Sequence, residues 1–170
     1  MTTEFDLVVI GAGSGGVRAA RMAASHGANV AIIEERFFGG TCVNVGCVPK
    51  KLFSYGSHFP QEFALAEDYG YTVKGWDFDW PTLRDNKSRE ISRLNGIYQR
   101  ILNQAGVTIF EGHGQVLGGG KVSVGETVLT ARHILVAVGG KPFVPDLPGR
   151  EHVRISDDLF YLDTLPKRVA

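Results

Sequence analysis

The chain has 170 residues, 44% of them hydrophobic, which suffices for one well-packed domain with an appendage and is too short for two nucleotide-binding domains. Its 18 lysines and arginines balance 18 acids, so no net field draws it to nucleic acid or to an anionic membrane. No apolar run approaches the ~20 residues of a membrane span, and the N-terminus, Met1-Thr-Thr-Glu-Phe-Asp6, carries acid where a secretion signal carries base; a cytoplasmic location is expected.

Phe5 to Ile10 is a nearly continuous apolar run, as in a parallel strand buried on both faces. Gly15 to His26 is rich in alanine and reads as a helix able to lie close to a sheet before Gly27 stops it. Asn29 to Glu34 follows as a second buried strand, which completes a βαβ unit. Lys50 to His58 and Gln61 to Asp68 read as two short helices, followed by a loop anchored by Trp76 and Trp80. Asp79 is placed to cap a long helix with Pro81 in its first turn. Leu94, Ile97, Tyr98, Ile101, Leu102 and Ala105 then define one apolar face ending at Gly106. Val107 to Phe110 reads as a short strand, residues 114–130 as a small antiparallel meander, and Ile134 to Val138 as a further buried strand. Three prolines between Lys141 and Gly149 predict an extended linker, and Leu165 to Ala170 looks like a strand just beginning.

Gly11-Ala-Gly13-Ser14-Gly15-Gly16 follows the first strand and opens the helix, the context in which a GxGxxG pattern carries meaning. Gly11 permits the tight turn, Gly13 lets backbone approach a pyrophosphate, Gly16 lets the helix pack on the strand, and amides at the helix start face the phosphates. Glu34, ending the second strand, can accept hydrogen bonds from both ribose hydroxyls, and its charge repels a 2'-phosphate. FAD or NAD is therefore expected at this site, and not NADP.

The only cysteines, Cys42 and Cys47, are separated by four residues. So short a loop leaves little unfolded-state entropy for a staple to remove. In a regular helix this five-residue step rises about 7.5 Å and turns about 500°, whereas a disulfide needs its Cα atoms within roughly 7 Å. Bridging therefore requires a distorted backbone, for which Gly46 and Pro49 are suited. Local bonds held in imposed geometry are the labile, catalytic kind, so the pair reads as a redox disulfide. Zinc would need further ligands at suitable spacing and none stand nearby, so no metal is expected. Ser14 and Arg21, seven residues apart, share one face of the first helix.

The run Gly39-Gly-Thr-Cys42-Val-Asn-Val-Gly-Cys47-Val-Pro-Lys50-Lys51 resembles the flavoprotein disulfide reductases, and their glutathione reductase branch in particular. Dihydrolipoamide dehydrogenases look similar but typically carry serine where Lys50 stands. The likeness runs over essentially the whole chain. It implies an α/β fold, a Rossmann-like FAD-binding domain with a parallel central sheet, helices on its faces and a small antiparallel β-meander. Residues 1–149 would form that domain, and 150–170 a linker and the start of an NADPH-binding domain.

By that resemblance NADPH reduces FAD, FAD reduces the Cys42–Cys47 disulfide, and the electrons pass to glutathione disulfide. Cys47 would form the charge-transfer contact with the flavin, and Cys42 would be the interchange thiol. Both roles need a thiolate, so a depressed pKa beside a positive neighbour is expected. Lys50 would hold charge beside the flavin ring. Residues matching Ser14, Arg21 and Tyr98 contact the substrate, whose carboxylates suit an arginine fork. Thr41 and Gly114 match FAD-contacting positions, and Ala137-Val138-Gly139 stands in the place of an Ala-Thr-Gly motif. Valine keeps threonine's shape without its hydroxyl, so one polar contact is missing there.

The resemblance also implies a homodimer, with the NADPH site and a general-base histidine outside this chain; no second GxGxxG occurs. His152 has Asp157 five residues on but no proline beside it, and His26, His58, His113 and His133 have no partner visible in sequence. The expectation is thus an N-terminal portion of a longer enzyme, inactive alone. A trypanothione or thioredoxin reductase would share the same motif, and a standalone flavin module with a regulatory thiol pair is the reading from another class.

Overall fold

A computed structural model describes residues 3–170; Met1 and Thr2, the start of the acidic N-terminus, lie outside the described residues. In chain order the elements are β1 (Thr3–Ile10), α1 (Ser14–Ser25), β2 (Val30–Glu34), α2 (Gly40–Asn44), α3 (Cys47–Ala66), α4 (Trp80–Gln104), β3 (Thr108–Glu111), β4 (Gly114–Gly118), β5 (Lys121–Val124), β6 (Thr127–Val136) and α5 (Ser156–Leu159). Glu67–Tyr69 and Arg150–His152 add single 3-10 turns.

The strands form one sheet in the order β3-β2-β1-β6-β5-β4. β1 is central, with β2 and β6 parallel on either side. Its side chains alternate between two cores, as the period of a strand requires. Val8 and Ile10 join Ala31, Ile33, Val122 and Leu129 on one face. Val9 joins Val17, Ala20, Ile32 and Leu102 on the other, with Leu7 packed against it. Helices α1 and α4 cover that second face, and the antiparallel strands curl over the first. The expected parallel sheet, helices and meander are all present.

The small residues of α1 let it lie close, with Gly16, Val17 and Ala20 buried. Asp79 caps α4 by accepting the Thr82 N–H at 2.8 Å, and its carboxyl is held below the usual range by that bond. Leu102 is fully buried, with Tyr98, Ile101 and Ala105 packed around the same cluster.

Three expectations need correction. The two short helices expected at Lys50–His58 and Gln61–Asp68 are one helix, α3, which runs through Pro60. Loss of one amide bond at Pro60 is outweighed by contacts on both sides of it: Gly56 lies against Leu83 of α4, Phe59 packs on Phe63 at 6.0 Å, and Phe63 on Trp76 at 6.2 Å. The meander's last strand and the buried strand expected at Ile134–Val138 are also one element. β6 pairs antiparallel with β5 through Thr127–Thr130 and parallel with β1 through Leu129–Val136, and it ends before Ala137.

The third correction concerns the C-terminal stretch. No strand forms at 165–170, where no neighbouring strand offers a ladder. Instead α5 and the residues after it dock on α3 and α4. Phe160 is buried 5.9 Å from the Phe53 ring. Trp80 Nε1 donates to the Leu162 carbonyl at 2.9 Å.

Candidate functional site

The glycine turn is built by exclusion of side chains. Gly11 has φ +104°, and a Cβ there would lie 2.5 Å from the Ala137 carbonyl oxygen. The Ala137 amide in turn donates to Ile10 O at 2.8 Å, which ties the end of β6 to the end of β1. A Cβ at Gly16 would overlap the Gly11 carbonyl oxygen. Gly13 is the N-cap of α1 and has no side chain to cover the first amides. Those amides and the helix dipole suit an anion.

Glu34 is fastened to this turn. Its carboxylate accepts from the amides of Ala12 at 2.6 Å, Arg36 at 2.8 Å and Phe37 at 3.0 Å. An ionised carboxylate has about four acceptor positions, so roughly one is left for a ribose hydroxyl instead of two. The glutamate is thus a structural tie for the turn. It lines a cleft with Gly11, Glu35, His113, Gly114 and Val138. At the cleft's edge the exposed side chains of Glu35 and His113 meet at 2.5 Å, a pairing across 78 residues that sequence did not reveal.

The dithiol turn leans directly on the glycine turn. Gly39 N–H donates to Ala12 O at 2.8 Å. Gly40 has φ +61°, and a Cβ there would lie 2.6 Å from the Gly13 Cα. Helix α2, which carries Thr41 and Cys42, is thereby fixed against the backbone of the glycine turn. Asn44 is buried and donates from Nδ2 to Phe38 O at 3.1 Å and Gly40 O at 2.9 Å. The helix breaks at Val45 and Gly46, and α3 restarts at Cys47. Gly46 has φ −147° and ψ −113°, and a Cβ there would lie 2.8 Å from Thr41 O and 3.3 Å from the Cys42 Cα. The break expected from the spacing is real and sits at Gly46, while Pro49 lies in the first turn of α3, where a missing N–H is harmless.

Both cysteines are free thiols, Cys42 half-buried and Cys47 exposed. The Cys42 thiol is pushed above its ordinary value, first by its hydrogen bond with Cys47, then by burial and by the charge of Cys47. The expected depression beside a cation is therefore not found at Cys42. The neighbouring sulfur is the largest cause.

The other expected residues fall in three places. Lys50 is exposed on α3, three residues beyond Cys47 and so on the same side of the helix. Thr41 is exposed beside Cys42. Ser14, Gly15 and Arg21 are exposed on α1, and Tyr98 is half-buried on α4 against the core that Val17 and Ala20 share. These neighbouring helices carry Ser14, Arg21 and Tyr98 without a hydrogen bond among them. Gly114 opens β4 where a Cβ would lie 2.9 Å from Ile10. Val138 and Gly139 are exposed beyond the end of β6. The Gly11–Gly16 turn, Glu34, Thr41, Cys42, Gly114 and Ala137–Gly139 gather at the carboxyl ends of the parallel strands, the usual ligand crevice of open α/β sheets.

Three residues escaped sequence reasoning. Lys87 is 1% exposed, with Nζ donating to Phe160 O at 2.7 Å and to Ser88 Oγ at 3.2 Å. Its ammonium lies 4.3 Å from the Tyr161 ring, and burial pushes its pKa down. The signal was available, because Lys87, Ile91, Leu94 and Tyr98 continue the helical stripe backwards. Asn44 and Tyr161 are the others. His152 meets Glu151 at 3.5 Å, and Asp157 instead faces Arg36 at 3.6 Å.

Among the described residues no group of three or more His, Cys, Asp or Glu could hold a metal ion. No helix there is long and apolar enough to cross a membrane.

Residues 5–170 match the family described as pyridine nucleotide-disulphide oxidoreductase. The chain is 49% identical over 167 residues to a glutathione reductase of Burkholderia cepacia, covering 98% of this chain and 37% of that protein. It is 46% identical over 170 residues to one of Nostoc sp., covering 100% and 37%. A chloroplastic/mitochondrial glutathione reductase of Pisum sativum is 44% identical over 178 residues, covering 98% and 32%. The chain thus spans about a third of the length of these curated relatives.

Proposed function

The chain belongs to the pyridine nucleotide-disulphide oxidoreductase family, and from that membership we propose that it is the FAD-binding, disulfide-bearing part of an NADPH-dependent glutathione-disulfide reductase. The observation that carries the proposal is the backbone contact between Gly13 and Gly40, which makes the phosphate turn and the Cys42 helix one unit. The glutathione reductases among its relatives support the substrate.

The residues fit the cofactor. Bare Gly13 and the open amides of α1 would hold the pyrophosphate, and Glu34 would steady the turn and offer its remaining acceptor to the ribose. Bound FAD would supply a two-electron relay between NADPH and the disulfide. In the reduced pair the Cys42 thiolate would attack glutathione disulfide, forming a mixed disulfide and releasing one glutathione thiolate. Cys47 would then attack the Cys42 sulfur, releasing the second glutathione and restoring the bond. Cys42 is half-buried and its pKa is raised, so its attacking thiolate forms less readily than that of an unperturbed thiol. Arg21 and Ser14 would bind substrate carboxylate, Tyr98 its flank, and Lys50 would set charge beside the flavin. Residues 1–149 as the FAD domain, 150–170 as the approach to an NADPH domain, a homodimer and a cytoplasmic setting complete the reading.

The test is NADPH oxidation, in the protein extended to the length of its relatives, with glutathione disulfide, trypanothione disulfide, oxidised thioredoxin and lipoamide in parallel. Turnover with glutathione disulfide is expected to exceed the others. Preference for another disulfide would reassign the branch, and turnover with none would reject the proposal. Arg21→Ala should raise KM for glutathione disulfide and leave NADPH oxidation by an artificial acceptor nearly unchanged.

A further inference from the structure

The dithiol turn is gripped from outside as well as from the glycine turn. Asn44 lies between the two cysteines, and its carbonyl accepts from the Tyr161 hydroxyl at 3.4 Å. Upstream of the same turn, Arg36 faces Asp157 at 3.6 Å. Residues 156–163 therefore touch both flanks of the segment that holds Cys42. Their own seat is firm. Phe160 is buried, its carbonyl accepts from Lys87 Nζ at 2.7 Å, and the Leu162 carbonyl accepts from Trp80 at 2.9 Å. The Tyr161 ring sits under the Lys87 ammonium at 4.3 Å, so ring and hydroxyl are held together in one orientation.

We propose that residues 156–163 are a strap across the dithiol turn and that Tyr161, acting through Asn44, is a positioning residue for the Cys42–Cys47 pair, resting on the reading of that pair as a redox couple. Closing the disulfide removes two protons and two electrons from the thiols and passes them to an external disulfide, which becomes a dithiol. The bond requires the two Cα atoms to stay within roughly 7 Å. Asn44 is inside that loop, so what fixes Asn44 fixes the closure. With the strap engaged the turn keeps Cys42 and Cys47 as neighbours, close enough for Cys47 to be the main influence on the Cys42 thiol. With it released the turn opens, the disulfide is less favoured, and Cys42 loses the partner that keeps its thiol protonated.

The experiment compares the wild-type chain with Tyr161→Phe, Asp157→Asn and, as a stability control, Val122→Ala, a fully buried position in the core on the opposite face of the sheet. Each is equilibrated with reduced and oxidised dithiothreitol, and the fraction of Cys42–Cys47 disulfide is read by mass spectrometry. Alkylation rates of each reduced cysteine and melting temperatures are measured alongside. Tyr161→Phe should lower the disulfide equilibrium constant about threefold to tenfold, the span of one hydrogen bond of ordinary net strength, and speed alkylation of Cys42. Asp157→Asn should move both in the same direction and by less. Val122→Ala should lower the melting temperature and leave both unchanged.

Wild-type equilibrium and alkylation in both strap variants, or an equal change in Val122→Ala, would overturn the proposal. Should Tyr161→Phe not fold, Asp157→Asn decides by the same two readouts. A wild-type chain that forms no intramolecular disulfide would sink the redox reading instead, and the alkylation rates would still decide the strap.

Discussion

The two turns that make up the site share steric exclusion at their glycines and differ in what else holds them. The glycine turn from Gly11 to Gly16 is fixed by what is missing, because its backbone passes where side chains would stand, against Ala137 and within its own loop. The dithiol turn from Gly39 to Cys47 uses the same exclusion at Gly40 and Gly46 and adds hydrogen bonds: the Asn44 amide, the carboxylate of Glu34 just upstream, and the strap at Tyr161. A turn defined chiefly by sterics is rigid and local, whereas one that also leans on hydrogen bonds to distant residues can be adjusted through them. Binding a fixed pyrophosphate wants the first property, and opening and closing a sulfur bond wants the second.

The sharpest way to break this contrast is to add one methyl group on each side. In Gly16→Ala the new carbon overlaps the Gly11 carbonyl oxygen, a backbone atom unable to yield without moving β1 or α1. A loss above about 3 kcal/mol is expected, seen as a large fall in melting temperature together with loss of flavin retention. Gly40→Ala acts where the two turns touch. Left-handed backbone at φ +61° costs alanine about 1–2 kcal/mol, and the 2.6 Å approach to Gly13 Cα adds to it. The melting temperature should fall by less than in Gly16→Ala, while the Cys42–Cys47 equilibrium against dithiothreitol changes. If Gly40→Ala left that equilibrium untouched, the two turns would not be mechanically joined.

The same contrast explains what was legible in the sequence. Gly11, Gly13 and Gly16 were readable because their constraint is local, and a strand before with a helix after was enough to interpret them. The helix break at Gly46 was readable for the same reason, since five residues of helix geometry exclude a bridge. Tyr161 was not, because its partner Asn44 lies 117 residues away. Lys87 was missed because its partner Phe160 is 73 residues distant and a lysine on an apolar stripe reads as an exposed edge. The unity of α3 and of β6 escaped for a related reason: Pro60 is tolerated through packing on α4 and Trp76, and β6 changes partner partway along its length. The raised Cys42 pKa depends on a sulfur whose placement only the fold supplies.

Glu34 sits between the two modes, since it hydrogen-bonds the glycine turn at Ala12 and the approach to the dithiol turn at Arg36 and Phe37. Glu34→Gln keeps the shape but points an NH2 at either Ala12 or the other two amides. Leaving such a donor unpaired costs about 1–3 kcal/mol. Expected are a moderate drop in melting temperature and weaker FAD binding by flavin fluorescence titration. Unchanged stability would mean that the three amides find other acceptors and that the glutamate serves the ribose alone.

The smallest expected effect lies furthest from the chemistry, at the Lys87 seat of the strap. Burial lowers the folded-state pKa of Lys87 below its ordinary 10.5, with the nearby Arg84 charge acting in the same direction. Below the folded value lysine is charged in both states, and the folded protein bears the cost of a buried ammonium. Between the folded and unfolded values the unfolded chain binds the extra proton, so stability attributable to this residue rises with pH across that window. Lys87→Met has no such proton. The stability difference between wild type and Lys87→Met, measured by urea denaturation from neutral pH to pH 10.5, should therefore shift progressively in favour of wild type. A flat difference would show the ammonium to be as well solvated as an exposed lysine, and the adjustable turn would then owe its orientation to Tyr161 and Asp157 without help from the cation beneath the ring.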